Sequence, residues 1–128
     1  MADLESSLRT LALQHPDVTT AFSTRFYWNH IPDGVTYPCI KAQTITDIAE
    51  DTHSRNWGGR ALVQLDVYDD DKTNCNAGTD KVRNWLHRYN GGMGTYRVTI
   101  KVRNAPSTFD DEARLYRRML EVSILYMS

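Results

Sequence analysis

Cysteine is scarce in this chain of 128 residues, and so is proline: two of the first and four of the second. Cys39 and Cys75 form no C-x-x-C pair, which argues against a redox or zinc-ribbon motif and leaves two reduced thiols as the expectation. The four histidines, His15, His30, His53 and His87, lack H-x-x-x-H or H-x-x-E-H spacing, so no zinc site is expected. No apolar run reaches the length of a membrane helix, and the opening "MADLESSLRT" has no apolar signal core, so no membrane is expected and a cytoplasm is. An excess of one charge is also missing. Fifteen Lys and Arg against sixteen Asp and Glu give a net charge of −1, and nothing global argues for nucleic-acid binding. There is no G-x-S-x-G, P-loop or G-x-G-x-x-G, and "GGMG" follows a helical pattern rather than a strand, the wrong context for a phosphate cradle. No catalytic residue, cofactor or metal is therefore expected.

What is present is ordinary soluble composition, 41% hydrophobic and 24% charged. The length suits a single domain over residues 1–128, able to bury roughly two-thirds of its unfolded surface. Leu4, Leu8 and Leu11 recur at helical spacing after Asp3, and Pro16 ends that helix and can open a short second one in "PDVTTAFS". "RFYWNHI" and "CIKAQTITDI" read as strands, separated by the Pro-Asp-Gly turn chemistry of "IPDGVTYP". In "RALVQLDVYD", Ala61, Val63, Leu65 and Val67 alternate with Arg60, Leu62, Gln64, Asp66 and Tyr68, the mark of a half-buried antiparallel strand. Val82, Trp85, Leu86 and Tyr89 then fall on one helix face, with Trp85 expected in the core and a stop expected at Asn90-Gly91-Gly92. "TYRVTIKVR" and "RLYRRMLEVSILYM" return to alternation. The predicted fold is α+β, a mostly antiparallel sheet with two main helices packed on one face, in the order α-β-β-β-α-β-β.

The stretch "DVYDDDKTN" places four aspartates, Asp66, Asp69, Asp70 and Asp71, where a strand passes into a helix. Neighbouring strand residues point to opposite sides, so three adjacent acids cannot all face one ion. A calcium loop begun at Asp69 would have Asn74 where glycine is required, and it lacks the bidentate Glu. A two-carboxylate hydrolase site at Asp66 and Asp69 has no visible partners. A charged joint that caps the helix accounts for the run best.

Several pieces, taken together, resemble one family. They are "HPDVTTAF", "IPDGVTYPCIKAQTIT", "GGRALVQLDVYDDD", "LHRYNGG" and "DDEARLYRRMLEVSILY". The whole chain is similar to the tail completion, or tail terminator, proteins of long-tailed bacteriophages and prophages. It departs from them in the number of acids in "YDDDKTN". The resemblance implies a structural protein without chemistry of its own. Such proteins form a ring, commonly a hexamer, on the head-proximal end of the tail tube. The ring ends tube polymerisation and presents a surface to the head-tail connector or stopper protein. The implied partners are thus further copies of the chain, the major tail tube protein and the connector, with DNA passing through unread. The implied location is the virion, with assembly in the host cytoplasm.

The charges divide along the chain: residues 1–71 carry eleven acids and five bases, and residues 72–128 five acids and ten bases. A head-to-tail ring needs two complementary patches on each subunit. This makes Arg97, Lys101, Arg103, Arg114 and Arg117 candidate subunit-interface residues, with Arg114 and Arg117 expected to lie outside the apolar face of their strand. The alternative is that these charges only keep the strands solvated. Asp47 to Gly59 reads as a polar loop or the tip of a long hairpin, and its Asp51, His53, Arg55 and Trp57 are candidate partner contacts. Two other readings stay open: a sibling neck protein of head-closure or stopper type, and a small metal-dependent hydrolase using Asp66–Asp71.

Overall fold

The computed structural model describes residues 4–51, 57–104, 108–110 and 114–127. Helices α1 (Leu4–Ala12) and α2 (Pro16–Phe22) lead into strands β1 (Phe26–Trp28), β2 (Cys39–Asp51) and β3 (Trp57–Asp69). Helix α3 (Lys72–Leu86) follows, then β4 (Asn90–Met93), β5 (Tyr96–Asn104), β6 (Thr108–Asp110) and β7 (Leu115–Met127). The fold is the expected α+β, with the expected order of its main elements. The strands lie in the order β1-β2-β3-β7-β5-β4, with β6 beside β7. Only the β1–β2 pair is parallel among the described residues.

The alternation of β3 sorts as the sequence indicates. Ala61, Val63, Leu65 and Val67 are buried in one cluster with Val98, Ile100, Leu120, Val122 and Ile124 of the neighbouring strands. The three helices close this side of the sheet. Leu8, Leu11 and Ala12 of α1, Val18 and Phe22 of α2, and Cys75, Val82 and Leu86 of α3 complete the same core. Two glycines make the close packing possible. A Cβ on Gly78 would come within 2.8 Å of the Phe22 ring, so α2 and α3 approach at a distance that glycine permits. Gly94, at φ 61, turns β4 into β5 against the Ser7 hydroxyl of α1.

Two sequence expectations need correcting here. Trp85 is only half-buried: its indole Nε1 donates to the Leu11 carbonyl at 2.9 Å, and its ring rests between His15 and Tyr89. An indole N–H in a dry core would lose its partner, so the side chain settles at the α1–α3 seam. The helix also ends earlier than Asn90. It stops at Leu86, with His87 as C-cap, and Asn90–Met93 becomes a strand because Gly91 and Gly92 lie opposite Val98 and Arg97.

Candidate functional site

The aspartate run resolves into separate local roles. Asp71 is the N-cap of α3, and its side chain accepts from the Asn74 amide at 3.1 Å. Asp69 points to the helix side, is buried, and accepts from the Asp71 amide at 3.2 Å. Burial, aided by the neighbouring Asp70, raises its carboxyl above the usual carboxylate range. Asp66 points to the other side of the sheet. It is 3% exposed and accepts from Gln64 Nε2 at 3.1 Å and from an Arg117 terminal nitrogen at 3.2 Å. Asp66 and Asp69 thus occupy opposite faces and cannot hold one ion between them. No group of three or more metal-ligating side chains comes together among the described residues.

Both thiols are free and buried near this joint. Burial pushes the Cys39 thiol up to about 11. It also raises that of Cys75, with Asp69 adding to the effect, while the Sγ leans on the Val67 carbonyl at 3.4 Å. Such thiols are held protonated and shielded, the opposite of a nucleophile's surroundings.

The five candidate interface cations fall into two groups rather than one. Arg97, Lys101 and Arg103 alternate along the face of β5 turned away from the helices, and all three are exposed. Arg103 pairs with Glu121. Arg114 and Arg117 belong to the far end of the sheet, opposite β6 and the start of α3. Arg114 is exposed in a left-handed turn. Arg117 lies in the outward phase of its strand and is tied to Asp66, because the strand register sets it diagonally across from that buried carboxylate.

Of the two readings of Asp47–Gly59, a loop or the tip of a long hairpin, the described residues show the hairpin. Asp51 pairs with Trp57 as its last described rung, since the residues on both sides continue the β2–β3 register. His53 and Arg55 lie outside the described residues.

Sequence reasoning missed the apolar character of the open face. Ile48, Leu125 and Met127 are 51%, 58% and 57% exposed and, with the half-buried Leu62, share one end of that face. A depression of about 320 Å³ lies among Thr46, Ile48, Leu62, Ser123 and Leu125, with Arg60 and Arg103 at its rim. The signal was there: Leu62, Leu125 and Met127 occupy the outward phase of strands whose inward phase is already apolar. Among the described residues, the other exposed large apolar groups are Ile45, also on β2, and Phe109 at the opposite end. Phe109 stands 45% exposed against the Tyr116 ring, centroids 4.8 Å apart.

The family described as "Tail completion protein gp17" matches residues 6–127. The chain belongs to this tail completion family. It is therefore a structural protein of tail completion and not an enzyme. No curated protein matches the sequence. Among solved structures, a chain from "Virion of native gene transfer agent (GTA) particle" is similar over 100% of both chains, with a TM-score of 0.69 and 12% identity. A second, whose name states no activity, is similar over 98% of this chain and 96% of its own, with a TM-score of 0.58 and 12% identity. At these identities the two likenesses establish the fold alone.

Proposed function

We propose that residues 1–128 act as one tail-terminator domain. Copies of it form a ring, a hexamer, on the head-proximal end of the tail tube. The ring ends tube polymerisation and offers its other side to the head-tail connector or stopper protein. DNA crosses the ring without base recognition, and the protein is a virion component assembled in the host cytoplasm. Family membership over residues 6–127 is the observation that carries this reading. The whole-length likeness to a chain of a gene transfer agent virion supports it. So does the chemistry, because exposed cations and apolar groups on an open sheet face suit assembly. Purified protein mixed with growing tail tubes, viewed by negative-stain electron microscopy, tests it. The expected result is a ring at one end of each tube and tubes of arrested length. Tubes that keep growing with bare ends would overturn the proposal.

A further inference from the structure

The open-face depression and Phe109 are complementary features of the same subunit, placed where they cannot meet within it. Phe109 pairs with Tyr116 at the start of β7, and Leu125 lies nine residues further along that strand. At ~3.3 Å per residue, this is about 30 Å. They also differ in face. Tyr116 follows the inward phase of Leu120 and Val122, whereas Leu125 follows the outward phase. A patch at one end and a knob at the other make a heterologous contact, which repeats head to tail and closes when the rotation allows.

The chemistry of the two features matches. The depression has an apolar floor, Ile48, Leu62 and Leu125, inside a basic rim of Arg60 and Arg103 with Lys101 beside Ser123. In the sequence, Phe109 is followed by Asp110, Asp111 and Glu112. An exposed aromatic fits an apolar floor, and the acids that follow it in the sequence are opposite in sign to the arginines that line the depression. A polyanion such as nucleic acid would satisfy the rim and leave Ile48 and Leu125 in water.

We propose that adjacent copies join head to tail, with Phe109 of one copy seated between Ile48, Leu62 and Leu125 of the next. This deepens the ring reading above and rests on it. The contact names the occupant of each patch as a second copy of this chain. It also assigns Arg103 and Lys101 to the rim and takes Arg117, bound to Asp66, out of the contact.

Disulfide trapping in assembled tails tests the contact directly. Cys39 and Cys75 are buried, so added surface thiols report without background. Tails carrying the double variant Phe109→Cys, Leu125→Cys should give a ladder of covalent multimers on a non-reducing gel, and each single variant should give none. Monomer alone, from tails that contain the protein, would overturn the contact and leave the proposed function standing. Dimers from Leu125→Cys by itself would overturn it too, by showing patch against patch. Tails lacking the protein altogether would overturn both readings. A second measurement uses charge and size. Phe109→Ser and Leu125→Glu should each stay folded, since both sites are exposed, and each should weaken self-association at least about tenfold, the loss expected of a hot-spot anchor. Mixed together, they should form dimers, because one good knob and one good depression remain between them. A Phe109→Ser variant that assembles like the wild type would sink the proposal.

Discussion

On the helix side of the sheet, Leu65 and Val67 are buried under apolar side chains; on the other side Asp66 is just as deeply buried, and no described helix covers it. The first burial follows from layering, helix upon sheet. The second is made by long neighbours on the same face, Arg117 and Gln64, which lie over the carboxylate and bond to it. Further along that face the cover fails, and Ile48, Leu125 and Met127 stand half-exposed. A single, mostly antiparallel sheet therefore has a sealed face, a face sealed by its own charges at one end, and an open end. The first two serve stability; the third is free for a partner.

The comparison breaks most visibly on the sealed face. Leu65→Ala should cost about 2–5 kcal/mol, measured by urea unfolding, because a fully buried leucine leaves a cavity. A loss below 1 kcal/mol would mean the helices do not close on β3 as described. Next comes the self-sealed end. Arg117→Met should cost about 2 kcal/mol, less than a fully buried pair would lose, since the arginine is partly wet. Adding Asp66→Asn should recover much of that loss, because the orphaned charge is gone while Gln64 keeps its acceptor. No recovery would show that Arg117 acts through packing alone.

A smaller effect depends on pH. Burial holds the Asp69 carboxyl above its ordinary range, so the folded state binds this proton more tightly than the unfolded state does. Stability should therefore fall as pH rises from the ordinary carboxylate range through the raised value, then level off. Asp69→Asn keeps an acceptor for the Asp71 amide and should remove that slope. The difference between the two urea midpoints across mildly acidic pH checks this, and parallel curves would contradict it. The smallest effect belongs to the open end. Leu125→Ser should change subunit stability by less than about 0.5 kcal/mol in the same assay, as exposed sites do. A large loss would show that the patch is structural.

Much of this arrangement was legible in the chain because it is local. The alternation of β3 and the aspartate cap at Asp71 are written in adjacent residues, and the structure contains both. The features that were not legible are set by partners distant in sequence. Trp85 leaves the core to reach the Leu11 carbonyl, and Arg117 is captured by Asp66, 51 residues earlier in the chain. Gly91 and Gly92 look like a helix stop, and only the pairing with β5 makes a strand of them. The candidate site had the same limit. The outward phase of Leu62 and Leu125 can be read from sequence, but a depression needs β2, β3 and β7 side by side. The cations of β5 and β7 also looked like one group until the register set those of β5 along the second half of β7 and Arg117 near its start.

The irregularity in β2 has a consequence of its own. β1 pairs with β2 only at Ile40–Ala42, so from Gln43 onward the edge of β2 turned away from β3 has no strand beside it among the described residues. Such a margin invites another chain to add itself, and then another. Between Thr44 and Thr46 the register slips, with Ile45 as the extra residue, and a bulge of this kind bends the strand away from the flat line that an incoming strand would follow. In the proposed role of ending tube growth, a second polymer started along the protein's own flank would defeat that end, and this kink disfavours such growth at the place where the sheet would otherwise offer it.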